Sequence, residues 1–468
     1  MMAALDSSHQ PQPWLQPLAE WTATLDATTL PARVLSRVAD SAIDWWGAVA
    51  AGCRHRLAEP YRQALATSLG SDGAYPSGCS VAGWSGHYQL EQAAAANAAI
   101  SHLAEVDDGH KLAVMHPAVT VFPAAIALAE HLQPSLQDLQ AAIVAGYEVG
   151  LKVGTLLGKD HYAVCHTTAT AGSFGATAAA ARLLKLTPEQ TLMAFGHVGT
   201  QAAGLWQILD DKAEEAKAFH PAVACRNGLT AVSLALNGLP AASRILEGPR
   251  GMLKAWGLAG DASVLARPVK DCFQIETTTL KGWPVCGQMH SSLEAMNDLL
   301  PQLPGADQVE KIMVFAPQAQ LNIANNLNPQ TFEEAKFSSR LCLAFLIYQG
   351  RLDFANFTAA VLGIHELRAL MDRIDVVEDP AMTARFPRER PTRVEVTLKN
   401  GEVLVRERSF RRGDPEQPWQ WHELVERFVA LTPQLDASSR KVITDWCAAC
   451  GRASGNTGSV RDLFHCLK

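Results

Sequence analysis

The sequence is sparing with charge, and its charges nearly cancel. Charged residues make up 19% of the 468 residues, and 40 basic side chains against 47 acidic ones leave a formal net charge of −7. Nucleic-acid binding relies on clustered lysine and arginine, and the chain has no basic block, so we expect no nucleic-acid partner. It also lacks a long uninterrupted apolar run and, at its N-terminus, the basic and apolar regions of a signal peptide. We therefore expect no membrane span and a cytoplasmic location.

Motifs that mark a bound cofactor are missing too. The chain has no P-loop, no strand–GxGxxG–helix unit, no His-Glu-x-x-His and no Gly-x-Ser-x-Gly. Its 10 cysteines are dispersed, and the pair Cys447 and Cys450 lies in a predicted helix, where packing is the commoner role. We therefore expect neither metal nor organic cofactor. The sequence then leaves three classes of protein open: a cofactor-free enzyme, a binding protein or a scaffold.

The first half of the chain has the apolar spacing of helices. Apolar residues recur at intervals of three and four, which predicts helices over 90–103, 119–132, 136–157, 169–184 and 188–205. Ser135 and Thr187 stand where helix N-caps are expected. Residues 167–181 are almost all Ala, Gly, Thr and Ser, so we expect this helix to be buried on every side at the centre of a bundle.

The pattern changes near Ala266. Residues 309–316 form a β-rich run, and alternation on both sides of Asn400-Gly401 predicts a hairpin over 393–406. Helical patterns lie at 333–348, 353–362, 419–431 and 437–450. The expected fold class is mainly α, with a helical domain over 1–268, an α+β domain over 269–411, and C-terminal helices over 412–468 that pack back on the helical domain.

Two clusters of polar groups precede helices in the first half. One contains Asp107, Asp108 and His116, and adjacent acids and histidines at a helix-to-loop transition either exchange protons or form a solvated loop. The other, His166-Thr167-Thr168, begins the small-residue helix. Hydroxyls and free backbone N–H groups there suit a substrate carboxylate, or simply cap the helix.

Two further clusters carry lysine. Lys217 and His220 lie three residues apart, and either pair on an anion or form an exposed polar turn. Lys281 precedes Cys286 and His290, which share a face if the segment is helical. They are then a nucleophile and base, an acid/base pair or half of a metal site, or else a buried thiol and a capping histidine.

Taken in order, these stretches resemble the MmgE/PrpD family. The resemblance runs from about residue 97 to 338, and the hairpin and tail fit the same plan. Its motifs are Asn97-(x)4-His102-(x)4-Asp107-Asp108, His116-Pro117-Ala-Val, Gly146-Tyr147-Glu148-Val149, Cys165-His166-Thr167-Thr168, Lys217-(x)2-His220, Lys281-Gly-Trp-Pro-(x)-Cys286-(x)3-His290 and Glu334-Ala-Lys-Phe-Ser338.

The resemblance implies a large helical domain and a smaller α+β lid domain, assembled as a homodimer. It implies chemistry without metal or organic cofactor on small substrates with two or three carboxylates, through proton transfer at a carbon next to a carboxylate. We expect His116 and His166 as acid or base, Lys217 and Lys281 as carboxylate or enolate clamps, and Asp108 as orienter or proton acceptor. The expected substrate-binding residues are Thr167, His220, Cys286, His290 and Asp107.

Departures from the family pattern bear on the reaction. The acid run Glu105-Val-Asp-Asp-Gly109 differs from the Asp-Phe-Asp-Asp-Thr of cis-aconitate decarboxylases, which counts against decarboxylation. The run from Pro284 to Gln288 differs from the Pro-Ala-Glu-Phe-His of 2-methylcitrate dehydratases, whereas the Trp-Pro-x-Cys-x3-His form is similar to iminodisuccinate epimerase. We expect a hydro-lyase that dehydrates a 2-methylcitrate- or citrate-like acid. The alternatives are epimerisation of a dicarboxylate such as iminodisuccinate, cis-aconitate-type decarboxylation, or an inactive homologue.

Overall fold

The computed structural model describes residues 12–67, 78–266, 272–453 and 458–468. Helices dominate the part of the chain before residue 267. Their bounds are α1 (Gln16–Thr24), α2 (Ala32–Cys53), α3 (Ala58–Ala66), α4 (Leu90–Leu103), α5 (Ala118–Leu132), α6 (Leu136–Tyr162), α7 (Thr167–Leu183), α8 (Pro188–Gly199), α9 (Gln207–Asp210), α10 (Phe219–Leu236), α11 (Met252–Ala255) and α12 (Ser263–Ala266).

Short strands β1 (Cys79–Ser80), β2 (His87–Tyr88), β3 (Gly109–His110) and β4 (Thr278–Thr279) accompany these helices. The remainder of the chain alternates helices and longer strands. It contains α13 (His290–Leu299), β5 (Val309–Ala316), α14 (Gln318–Ile323), α15 (Phe332–Ala335), α16 (Ser339–Gln349), α17 (His365–Met371), β6 (Ile374–Glu378), α18 (Pro380–Arg385), β7 (Thr392–Leu398), β8 (Val403–Arg408), α19 (Trp421–Leu431), α20 (Ala437–Ala449) and α21 (Val460–His465). The fold is therefore mainly α with a smaller α+β part, as predicted.

The predicted helical bundle is present, and its centre is close-packed. Every residue of the small-residue stretch 167–181 on α7 is buried. A Cβ added to Gly146 on α6 would lie 2.9 Å from the carbonyl oxygen of Gly175 on α7, so only glycine permits this approach of the two helices. Thr187 and Gln190 form the expected capping box at the start of α8, which ends at Gly199 rather than at the predicted Leu205.

Among the described residues one helix, α6, is long and apolar enough to cross a membrane. In this structure 89% of its apolar window is buried inside the protein. It contacts α5 and α7 of the bundle. Its apolar surface is therefore covered by its own chain, as in the core helix of a folded domain.

The α+β part contains a four-stranded mixed sheet in the order β6-β5-β7-β8. β5 and β6 run parallel, and the other neighbours are antiparallel. The predicted hairpin is confirmed: β7 and β8 pair with Val396 opposite Leu404, and Gly401 turns the chain with a φ of 86°. The strand prediction for 309–316 is confirmed by β5.

Two predicted helices in this part take a different form. Residues 353–362 are not α-helical, because Asp353 Oδ1 accepts hydrogen bonds from the backbone N–H groups of Ala355 and Asn356 and forms a turn instead. The helix predicted over 333–348 is divided into α15 and α16. Ser338 separates them, and its hydroxyl caps α16 by accepting from the Leu341 N–H at 3.3 Å.

The two largest hydrophobic cores among the described residues lie in different parts of the chain. The first surrounds Trp45 and Trp46 and extends past residue 268 to Leu280. It also takes in side chains of α19, α20 and α21, among them Phe428, Trp446 and Phe464. The second core begins at Trp283 and includes the buried faces of β5, β6, β7 and α16. The short stretch between Leu280 and Trp283 joins the two cores, and Lys281 lies on it.

Candidate active site

A cavity lies where the helical part meets the α+β part. Its empty space is about 750 Å³, open solvent at the mouth included. His116, His166 and Lys217 border it from the helical part. The antiparallel pairing of β3 with β4 joins the loop after α4 to the chain segment leading to Lys281, so that residues distant in sequence meet there.

Three imidazoles cluster beside this cavity. The ring centroid of His102 lies 4.9 Å from that of His116 and 5.7 Å from that of His166. Asp107 is fully buried behind them. Its Oδ2 lies 2.9 Å from His102 Nδ1 and 3.0 Å from His116 Nδ1, so a single carboxylate orients two rings.

The contacts of His116 define where its proton sits. Its Nδ1 also lies 2.6 Å from the backbone oxygen of Asp108. A carbonyl and a carboxylate only accept hydrogen bonds, so Nδ1 carries the proton and Nε2 keeps its lone pair. Burial lowers the pKa of His116 to about 4, although the nearby Asp107 carboxylate opposes this. His116 is therefore a neutral, oriented base at neutral pH.

This arrangement gives a testable pH dependence. The His116 base is expected to be lost only as the pH falls toward about 4, because its pKa is lowered from 6.5 to about 4. NMR titration of protein labelled with ¹³C-histidine measures this midpoint, and the signal missing from His116→Asn assigns it. A midpoint near 6.5 for that signal contradicts the account.

His166 belongs to the same cluster but has other partners. Its Nδ1 lies 3.1 Å from His220 Nδ1, so one ring donates to the other, and its ring lies 4.5 Å from that of Trp206. Burial, reinforced by the ammonium of Lys217, holds the pKa of His166 well below its usual value. The imidazoles of His116 and His166, which both border the cavity, are thus neutral.

The two lysines converge on a residue that was not among the predicted site residues. Glu105, just after α4, forms an ion pair with Lys217 and lies 3.4 Å from Lys281 Nζ, which also donates to the Glu105 backbone oxygen at 2.9 Å. Burial alone would raise the pKa of Glu105, but the two ammonium groups hold it below its usual range. The pKa of Lys281 is raised, because Asp107 and Glu105 outweigh its burial. The site therefore holds a charged carboxylate between two cations.

Asp108 lies behind the cavity rather than on its wall. Its Oδ1 accepts from the Ala118 N–H at 3.0 Å and its Oδ2 from the Tyr147 hydroxyl at 2.8 Å. Burial and the neighbouring Asp44 raise the pKa of Asp108 well above its usual value. Its side chain fixes the start of α5, while its backbone oxygen positions His116.

The predicted binding residues divide between the wall and the interior. Cys286 borders the cavity, and burial raises the pKa of its thiol. His290 is fully buried, with Nε2 3.0 Å from the Val285 oxygen. The two do not share a helical face, because α13 begins only at His290. Thr167 and His220 lie behind His166, and the Thr167 hydroxyl has no partner among the residues that the structure describes.

Several further side chains on the cavity wall were not among the predicted site residues. Tyr162, Trp206, Arg390 and Arg411 border the cavity. Arg390 and Arg411 lie far along the chain from the motifs, and only folding brings them to the site. One ring nitrogen from each of His102, His116 and His166 lies within 4.8 Å of the others. Three histidines at this spacing could hold a metal ion. The absence of a metal requirement stays a prediction.

Two family descriptions match this chain in succession. The MmgE/PrpD N-terminal domain matches residues 16–263, and the MmgE/PrpD C-terminal domain matches residues 283–448. Residues 264–282, between the two matches, include Leu280 of the first core, and together the matches cover most of the chain. The protein belongs to the MmgE/PrpD family.

Similar curated proteins are cis-aconitate decarboxylases. A cis-aconitate decarboxylase-like protein of Aspergillus oryzae is 28% identical over 315 residues, covering 63% of each chain. The cis-aconitate decarboxylase of Aspergillus terreus is 27% identical, covering 61% of this chain and 60% of its own length. The human enzyme is 24% identical over 73% of each chain. The chain thus matches less than two thirds of the length of the two fungal relatives.

Proposed function

We propose that this protein is a lyase that removes a proton from a carbon next to a carboxylate of a small di- or tricarboxylate. The reaction proposed is dehydration of a hydroxylated, citrate-like acid. The observation that carries this proposal is the neutral His116, oriented by Asp107 and bordering the same cavity as Lys217 and Lys281. Base and cations together are what abstraction of such a weakly acidic proton requires.

Lys217 and Lys281 stabilise the negative charge that forms during the proposed reaction. A substrate carboxylate that enters the cavity competes with Glu105 for the ammonium groups of Lys217 and Lys281. When His116 removes the neighbouring proton, negative charge moves onto that carboxylate, and the two ammonium groups stabilise it. Because they are buried, their interaction with the new charge is stronger than it is in water.

The departing hydroxyl also needs a proton. His116 Nε2 holds the proton it has just taken, and it returns this proton to the hydroxyl as the C–O bond breaks. An alkene and one water molecule leave, and His116 is neutral again. His166, which is neutral and paired with His220, borders the substrate without having to ionise.

Two other outcomes have specific support. Epimerisation is favoured by the pair of neutral imidazoles, since the ring centroids of His116 and His166 lie 6.1 Å apart and two bases can serve opposite faces of one carbon. Decarboxylation is favoured by the names of the similar curated proteins. Glu105 and Gly109 count against decarboxylation, because cis-aconitate decarboxylases resemble one another in having Asp and Thr at these two places of the acid run.

Product analysis separates these reactions. The protein is incubated with citrate, 2-methylcitrate, cis-aconitate, malate-type acids and iminodisuccinate, and products are followed by proton NMR with chiral chromatography. We expect loss of water and a new alkene signal from a hydroxylated acid. Release of carbon dioxide or a changed configuration without an alkene replaces dehydration by one of the other two reactions. No product from any acid overturns all three.

A further inference from the structure

Arg390, just before β7, is a buried cation that borders the cavity. It is 6% exposed. Its Nη1 donates to Gln288 Oε1 at 2.8 Å, and its guanidinium lies 4.7 Å from the centre of the Phe386 ring. Its Nε has no hydrogen-bond partner among the residues that the structure describes. Within those residues no carboxylate forms an ion pair with it.

The nearby carboxylate of Asp414 is already engaged. It accepts three hydrogen bonds from Arg411, from the backbone N–H at 2.8 Å, from Nη2 at 2.8 Å and from Nε at 3.3 Å, and another from the Thr279 hydroxyl. Arg411 and Asp414 therefore neutralise each other. Arg390 keeps its charge with no carboxylate of its own to pair with among the described residues, and burial lowers its pKa to about 9.

A buried charge without a partner is costly to keep, and proteins retain such a group where a ligand pairs with it. A guanidinium offers two parallel N–H groups, which match the two oxygens of a carboxylate. We propose that Arg390 binds a second carboxylate of the substrate, at a subsite separate from the Lys217 and Lys281 pair. This inference rests on the proposed function and deepens it.

The two subsites define the substrate class. The lysine pair receives the carboxylate next to the reacting carbon, and Arg390 receives a carboxylate farther along the molecule. Arg390 belongs to the α+β part, whereas Lys217 belongs to the helical part. An acid with two carboxylates therefore bridges the two parts of the protein, and a monocarboxylate does not.

The test compares inert diacids with their monoamides. Succinate, glutarate and propane-1,2,3-tricarboxylate, each beside its monoamide, are titrated by calorimetry into the parent protein, Arg390→Gln and Arg390→Lys. For the best diacid we expect binding about 30-fold weaker in Arg390→Gln, a typical loss for one partner of a buried charge pair. Its monoamide changes less than about threefold, and Arg390→Lys recovers part of the affinity because it keeps the charge but not the planar fork. Equal losses for diacid and monoamide, or no loss, overturn the proposal.

Measuring the Tm of each variant distinguishes loss of a ligand contact at Arg390 from a general loss of structure. Arg390→Gln removes an unpaired buried cation, so its Tm is expected to equal or exceed that of the parent. The matched control Arg411→Gln leaves Asp414 unpaired and is expected to lower the Tm. A lower Tm in Arg390→Gln overturns the assignment. Deuterium exchange in the parent protein tests the proposed reaction separately, since it proceeds or fails whatever the titrations show for Arg390.

Discussion

Replacing His116 with asparagine is expected to lower the rate of proton exchange at the substrate carbon by about 10²- to 10⁴-fold, the usual contribution of a general base. The asparagine amide can still donate a hydrogen bond toward Asp107 or the Asp108 oxygen, so the loop keeps a donor at this place. It has no lone pair that accepts a carbon-bound proton. The measurement is deuterium incorporation under saturating acid, with the Tm recorded for each variant.

The control for this variant is His131→Asn. His131 lies on α5 and is exposed, so exchange is expected to be unchanged. If His116→Asn loses less than a few-fold while its Tm equals that of the parent, His116 is not the base. The neutral His166 is then the group to test next.

Removing both lysines is expected to destabilise the protein strongly. In Lys217→Met/Lys281→Met the buried Glu105 carboxylate has no lysine in contact, and breaking a buried pair in this way costs about 3–5 kcal/mol. Urea unfolding near neutral pH measures this loss of unfolding free energy. Adding Glu105→Gln in the same background removes the stranded charge, so it is expected to restore a large part of the stability.

Lys217→Met/Lys281→Met is also expected to reverse the way in which the contribution of Glu105 to stability depends on pH. In the parent protein the lowered pKa of Glu105 contributes stability above its unfolded value of 4.5, and this contribution is lost as the pH falls below it. Without the two lysines burial is the largest remaining influence on Glu105 and raises its pKa, so we expect acid to favour the folded state. Unfolding at neutral and mildly acid pH therefore distinguishes the two cases. Equal losses in the double and triple variants contradict the pairing of Glu105 with the lysines.

Local pattern was sufficient for much of the fold. Helices α4 to α7 and the hairpin of β7 and β8 follow from periodicity, caps and one Asn-Gly turn, because those signals lie within a few residues of one another. Helix α2 was not predicted, although most of it is buried. Its polar residues have distant partners: Arg37 donates to the Thr278 oxygen at 2.6 Å, and Asp44 forms an ion pair with Arg427 at 2.8 Å. Such long-range pairing leaves no local trace.

The site residues also divide into those that local sequence indicates and those that only the fold brings together. The sequence motifs identified His116, His166, Lys217 and Lys281, because histidine and lysine stand out within apolar sequence. They did not identify Glu105 as the carboxylate between the lysines. Its neighbours along the chain are also acids, and only the fold shows which acid faces which cation. The backbone of Glu105 has a positive φ of 59°, which is uncommon outside glycine and which composition does not reveal.

The most direct test of the account is deuterium incorporation from D2O at a substrate carbon, measured by proton NMR with chelator-treated protein. Across the panel of carboxylic acids, we expect exchange at a single carbon next to a carboxylate, undiminished by the chelator and lost in His116→Asn. Exchange that stops after chelation and returns with added Zn²⁺ would contradict it, and would instead make His102, His116 and His166 the ligands of a catalytic metal.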